Sequence, residues 1–355
     1  MTQEQLITNA ISLLKTLIEI SSFSTEENKT ADCIETWFKT NEISFQRTKN
    51  NVWAANRFFD ETKPTLLLNS HHDTVKPNKG YTRDPFKAIV EDGKLYGLGC
   101  NDAGGCLVSL LATFTYYNNH RNLRYNLVFV ASAEEENSGP GGLNSMLGII
   151  PKIDVAIVGE PTLMNLAIAE KGLVVFDAKV KGTPSHAAHP NENNAIYNTI
   201  AVLDWFKEFK FEKLSELLGE VKMTVTQINA GLQHNAVPAE VNLVIDVRVN
   251  EEYSNQEIVE ILETKSPCNT IIPRSLRLDS SSIPIDHELV QAGIKLGRTT
   301  YGSPTLSDQS VLTCPSLKLG PGDSRRSHTA NEFIYISEIE EGINIYIDLL
   351  SQVII

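Results

Sequence analysis

Three short runs constrain this chain more than anything else in it. TLLLN (65–69), NLVFVA (126–131) and IDVAIV (153–158) are almost wholly apolar, and each leads directly into a polar, chemistry-bearing segment. Unbroken apolar runs of this length predict strands buried on both faces, as parallel strands are, whereas a half-exposed antiparallel strand alternates. Between the first two lies AGGCLVSLLATFTYY (103–117), which predicts a buried helix. Strands and helices in that alternation give an α/β fold, a mostly parallel sheet covered by helices. Open sheets of this kind bind ligands beyond the carboxyl ends of their strands.

Five segments carry titratable groups to that edge. SHHDTV (70–75) follows the first strand, and side chains two apart on extended chain point the same way, so His71 and Asp73 face together while His72 faces away. A metal-bound imidazole usually needs a carboxylate or carbonyl on its second nitrogen, and Asp73 is placed to supply one. In YGLGCNDAGG (96–105), Asp102 precedes the buried helix, where an N-cap serves equally well. The glycines there do not form a nucleotide loop, since neither Lys-Ser/Thr nor G-x-G-x-x-G stands between strand and helix. ASAEEENSGPGG (131–142) sets Glu134, Glu135 and Glu136 at a buried strand end, where three carboxylates repel one another unless cations neutralise them; the alternative is a solvated acidic turn. VGEPT (158–162) brings Glu160, and GPGDSRRSHTANE (320–332) brings His328 in a glycine-bearing loop.

Each group alone is explained as well by solvation or capping. Together, His71, Asp102, Glu136, Glu160 and His328 make a ligand set for two borderline divalent metals: an imidazole and a terminal carboxylate for each, with one carboxylate shared. Two such ions roughly 3.5–4 Å apart activate a water and polarise a carbonyl oxygen. A further carboxylate has to carry the proton to the leaving nitrogen, and Glu135 is placed for it.

From about residue 171 the texture changes to an alternating run, VVFDAKVKG (174–182), then a helix near 194–208, strands near 222–229 and 240–249, a helix near 254–265 and a strand near 271–278. That order is a small α+β sandwich. The chain then resumes with a helix from about Asp286, a short strand at 316–319 and a closing helix at 336–352. The expected domains are therefore a catalytic domain in two parts, 1–170 and 281–355, interrupted by an inserted domain over 171–280.

The 355 residues carry 31 Lys+Arg against 44 Asp+Glu, a formal net charge of −13, which repels phosphate backbones and anionic membrane surfaces. Neither nucleic acid nor membrane is expected as a partner. The start lacks the pattern of a signal peptide, so a cytoplasmic location is expected. Five scattered cysteines without a C-x-x-C suggest reduced thiols.

The motifs H-x-D, G-x-G-x-x-D, E-E, G-E-P-T, G-x-x-S-H-x-x-x-P and H-T-x-N-E, in this order, resemble the co-catalytic dizinc aminoacylase and carboxypeptidase family, from about residue 8 to 350. The resemblance implies a zinc-exopeptidase-like domain with an inserted ferredoxin-like lid and dimerisation domain, two zinc ions per chain (cobalt or manganese as substitutes), and a homodimer. It assigns His71 and Glu160 to one zinc, His328 and Glu136 to the other, Asp102 as the bridge, Asp73 to orient His71, and Glu135 as general base. His186, in GTPSHAAHP, would donate to the developing oxyanion, in dimeric members from the neighbouring protomer. Asn235 and Arg248 would hold the α-carboxylate of a small N-acyl amino acid, with Lys171 as another basic contact; Arg248 has Asp246 as a competing partner. Ser70 and Leu98 replace the family's usual Gly and Arg, Glu134 replaces its usual Asp, and no ligand is lost. Cys100 adds a soft ligand or an oxidation-sensitive thiol near the site. The similarity is closest to the acetylornithine deacetylase group, which implies removal of the acyl group from N-acetyl-L-ornithine (or N-acetylcitrulline or N-succinylornithine) in arginine biosynthesis. Asp308 or Asp323 could face the cationic side chain, with solvation or capping as the other reading. A dizinc dipeptidase, carboxypeptidase or succinyl-diaminopimelate desuccinylase is the alternative, and a non-catalytic binding protein on the same fold is a third.

Overall fold

The computed structural model describes residues 2–355 and divides into two units. The first is assembled from the chain up to Ile168, Ser282–Tyr301 and Ser307–Ile355; the second from Ala169–Ser281 with the short return Gly302–Leu306.

At the centre of the first unit, Asn126–Ser132, Thr65–His71, Val155–Val158 and Ser316–Lys318 lie side by side in parallel. Asn51–Ala55 flanks them antiparallel at one side, and Leu166–Glu170 at the other. The apolar runs are buried on both faces for the expected reason. Leu66, Leu68, Leu127 and Phe129 point into a core shared with Gln3–Ile18, Gly105–Tyr117 and Ile336–Ile354. Their neighbours Leu67, Val128 and Val130 point into a second, smaller core with Leu143 and Met146. The helix Gly105–Tyr117 is buried almost all round because two other helices and the sheet enclose it.

The second unit is a four-stranded antiparallel sheet in the order Lys222–Ala230, Glu240–Val249, Gly172–Lys181, Thr270–Pro273. Along Gly172–Lys181, Val174, Phe176, Ala178 and Val180 face a core closed by the helices Ala195–Glu208 and Asn255–Lys265, and Asp177, Lys179 and Lys181 stay exposed on the other face. The last strand is shorter than the sequence predicts, ending at Pro273 rather than 278; proline contributes no N–H to a ladder. Among the described residues no helix is long and apolar enough to cross a membrane.

Candidate metal centre

Seven of the residues singled out in the sequence, His71, Asp73, Asp102, Glu135, Glu136, Glu160 and His328, meet at the carboxyl edge of the first unit's parallel strands. His71 ends Thr65–His71 and is 1 % exposed. Its Nδ1 lies 3.0 Å from the main-chain oxygen of Asp73 and 3.4 Å from that residue's carboxylate, so Asp73 reaches His71 with both groups. The Asp73 carboxylate also accepts the backbone N–H groups of Glu135 and Glu136, each at 3.1 Å, and the Ser24 hydroxyl at 2.7 Å. It therefore ties the first strand's end to the acidic turn after the second.

That leaves His71 Nε2, a buried atom with no hydrogen-bond partner. Around it stand Asp102 Oδ1 at 3.4 Å, Glu160 Oε1 at 3.7 Å and Glu135 Oε2 at 3.9 Å. The other oxygen of Asp102, Oδ2, lies 3.6 Å from His328 Nε2, which is 2.9 Å from Glu136 Oε2. Asp102 thus stands between the imidazoles, one oxygen toward each. Ligand atoms of His71, Asp102 and Glu136 fall within 4.8 Å of one another, as do those of His71, Glu135 and Glu160. The second grouping brings Glu135, read from the sequence as the base, close enough to be a ligand itself.

Electrostatics describe the same arrangement. Burial, reinforced by Asp102 and Glu136, pushes the Glu160 carboxyl up to about 8, and burial with Glu160, Asp308 and Glu136 raises Glu135 well above the carboxylate range. Desolvation pulls the His71 imidazole down, but Glu135, Asp102, Asp73 and Glu160 outweigh it and hold it well above its ordinary value. His328, bonded to Glu136, is raised to about 9. Acids packed this closely resist ionising together, and an orphaned imidazole nitrogen points among them, an arrangement that suits cations. Oxygen and imidazole donors without thiolate fit borderline divalent ions.

The remaining expectations divide. Asp102 is not an N-cap: it lies in a wide turn, Cys100–Gly104, with non-helical backbone (φ −119°, ψ 98°), and the helix starts only at Gly105. Cys100 is neither a ligand nor a reactive thiol. It is fully buried, its Sγ bonds the Leu95 carbonyl, and burial raises it well above the ordinary thiol range. Asp323 takes the capping role, accepting the Arg325 N–H and the Arg325 guanidinium. Asp308 is buried and accepts the Ser132 hydroxyl, so neither acid stands ready for a substrate cation.

His186, Asn235, Arg248 and Lys171 belong to the second unit. His186 is exposed on a two-residue strand paired with Ala236–Val237, its Nδ1 accepting the Ala188 N–H, and Ala187 N–H donates to the Asn235 carbonyl. Arg248 grips Asp246 with two bonds, at 2.8 and 3.1 Å, the competing partnership read from the sequence. Lys171 donates to the Glu220 carbonyl at 2.7 Å.

Sequence reasoning missed the groups that hold the site's backbone. Asn51 and Glu27 accept the N–H groups of Ala133 and Glu134, and Glu332 accepts those of Gly99, Asn101 and Asp102. For Glu332 the signal was its place in the His328 segment; for Glu27 and Asn51, remote in sequence, there was none.

A parallel sheet with a two-imidazole, multi-carboxylate cluster at its carboxyl edge is an arrangement able to hold divalent metal ions. Residues 67–352 match the profile of Peptidase family M20/M25/M40, and the chain belongs to that family. It is 26 % identical over 380 residues to a succinyl-diaminopimelate desuccinylase of Rickettsia felis, covering 97 % of this chain and all of that one, and 26 % identical to its counterpart in Rickettsia bellii, covering 96 % and 95 %. Among solved structures it is similar to an M20 family metallo-carboxypeptidase from Sulfolobus solfataricus, with a TM-score of 0.76, 17 % identity and coverage of 97 % and 98 %. A tripeptidase from Staphylococcus aureus gives 0.74 at 20 % identity, covering 98 % and 99 %. Membership makes the chain a metal-dependent amidohydrolase.

Proposed function

We propose that this protein removes the acyl group from an N-acyl-L-amino acid with the help of two zinc ions. The observation that carries the reading is Asp102, with one oxygen toward His71 and the other toward His328. His71 and Glu160 would hold one ion and His328 and Glu136 the other, with Asp102 shared. When bound, such ions supply Lewis acidity, lowering the pKa of a water and polarising the amide carbonyl. Glu135 would take the proton of the attacking water and return it to the leaving nitrogen, while Asp73 keeps His71 and the Glu135–Glu136 backbone in register. Arg248 and Asn235 would hold the α-carboxylate, Lys171 would be another basic substrate contact, and His186 would donate to the oxygen that gains charge.

For the substrate, the G-E-P-T and S-H-T-A-N-E motifs favour N-acetyl-L-ornithine; the curated relatives, named as desuccinylases, favour N-succinyl-diaminopimelate as a second reading. Both are N-acyl amino acids carrying a free carboxylate and a second amine. Zinc-loaded protein assayed against both, with N-acetylcitrulline and unmodified dipeptides alongside, should release an acyl acid. Dipeptides cleaved faster than every acyl amino acid would replace the reading with a peptidase.

A homodimer through the second unit is part of the proposal. Ile196, Tyr197 and Ile200 are 45, 69 and 60 % exposed along the helix Ala195–Glu208, and Lys222–Ala230 is an edge strand. Exposed apolar side chains beside an unpaired edge favour pairing with a second copy. If His186 then serves the partner's site, mixing His186→Ala and Glu135→Ala chains should restore part of the activity; verified heterodimers without recovery would place the whole site in one chain.

A further inference from the structure

The segment His328–Glu332 delivers one imidazole, but its other polar residues do more than carry it. Asn331 accepts the N–H groups of Thr82 and Arg83, each at 3.0 Å, and Asn78 donates to the His328 carbonyl at 3.1 Å. Glu332 is 2 % exposed. Its Oε1 accepts the N–H groups of Asn101 at 2.8 Å and Asp102 at 3.0 Å, and its Oε2 accepts that of Gly99 at 3.2 Å.

The three N–H groups belong to a turn that helical bonding does not satisfy. Asp102 is non-helical, and Gly99 sits at φ +74°, where a Cβ would collide with the Thr74 side chain. The peptide groups around Asp102 therefore depend on a side chain to fix them, and buried N–H groups left unmade are costly. A carboxyl side chain meets that need because it presents two oxygens, one to Asn101 and Asp102 and the other to Gly99, although burial and the nearby Asp102 push its carboxyl up to about 8. An amide in its place offers one acceptor oxygen, and its NH2 confronts an N–H.

We propose that Glu332 is a positioning residue for the metal centre, its carboxylate clamping the Gly99–Asp102 backbone so that the two oxygens of Asp102 stay aimed at two different imidazoles. Because Glu332 is four residues from His328, a single segment then sets both the second imidazole and the shared carboxylate. The spacing between the two ion positions is thereby fixed by the fold before either ion arrives. Glu332 touches no reacting atom; it acts through Asp102. The proposal rests on the reading of Asp102 as the shared ligand.

The test measures zinc binding to metal-free wild type, Glu332→Gln, Glu332→Asp and Asp102→Asn by calorimetry, with the visible spectra of the cobalt-loaded proteins. For Glu332→Gln the second ion should bind roughly 10- to 100-fold more weakly, as when other outer partners of a metal site are lost. The cobalt spectrum should change, and kcat should fall with KM within about twofold. Glu332→Asp, which keeps both acceptor oxygens, should recover part of the affinity. Two ions bound to folded Glu332→Gln with wild-type affinity and spectrum would overturn the proposal, leaving Glu332 as a stabiliser of the fold alone. Should the variants fail to fold, amide hydrogen exchange in the wild type decides: the Gly99, Asn101 and Asp102 amides should be protected in metal-free protein, and exchange at open-loop rates would overturn the clamp. Asp102→Asn separates the two ideas. If it binds both ions normally, the shared-ligand reading fails; if it loses them and Glu332→Gln does not, only the clamp fails.

Discussion

At the scale of single residues, the centre is a problem of placing like charges. Glu135, Glu136, Glu160, Asp102 and Asp73 converge within a few ångströms, and folding alone offers them two imidazoles and several backbone N–H groups. Asp73 illustrates the division of labour: fully paired with His71, Ser24 and two backbone amides, it is held below the usual carboxylate range despite its burial. Glu135 has no such partner and is raised, the condition expected of a proton carrier. Glu135→Gln should therefore lower kcat by about 10²–10⁴-fold, the usual worth of a general acid–base group, while the purified protein keeps its metal content. Turnover near the wild-type rate would remove Glu135 from that role, and loss of one ion would make it a ligand, as its distance to His71 Nε2 allows.

At the scale of elements, burial and capping do the positioning, and each can be tested away from the chemistry. Phe129 anchors the strand that leads to the acidic turn, with ring centroids 6.0 Å from Phe38 and 5.9 Å from Phe114. Phe129→Ala should cost about 3–5 kcal/mol, measurable by denaturant unfolding. In the second unit, Ser254 and Glu257 form a capping box at the start of Asn255–Lys265. Bonds from the Ser254 N–H, then Lys213, then the Ser254 hydroxyl lower Glu257 to about 2. A depressed carboxylate contributes stability above its unfolded value and loses it as pH falls toward the folded one. The gap in Tm between wild type and Glu257→Gln should thus be full at pH 6 and narrow as pH drops from about 4.5 toward 2; a pH-independent gap would refute the link. The parallel strands, the buried helix and the seven converging side chains were legible because apolar continuity and strand-end placement are local signals. That Asp102 lies in a wide turn and not at an N-cap could not be read from its position alone, because the backbone N–H groups of that turn are accepted by Glu332, 230 residues away. Arg248's grip on Asp246 was legible as one of two options, since residues two apart on a strand share a face.

At the scale of the whole molecule, ions that bind only the folded chain add stability by mass action. At a free zinc level 100-fold above Kd the gain is about 2.7 kcal/mol, so chelation should lower the Tm of the first unit while the second unit's transition stays put. Scanning calorimetry with and without chelator checks this; two transitions moving together would mean that the units unfold as one.

The strand order also sets a timetable for synthesis. Ser316–Lys318 fills the place between Val155–Val158 and Leu166–Glu170, in the middle of the first unit's sheet, yet the ribosome makes it only after the whole second unit. Until then the nascent chain carries a sheet with a gap at its centre and an open apolar edge beside Val155–Val158, and His328 and Glu332 are still unmade. Such an edge invites pairing with other chains. The second unit, continuous in sequence but for Gly302–Leu306, is free to fold during that wait, so the interruption that divides the catalytic fold also makes its completion the last event in the birth of the protein.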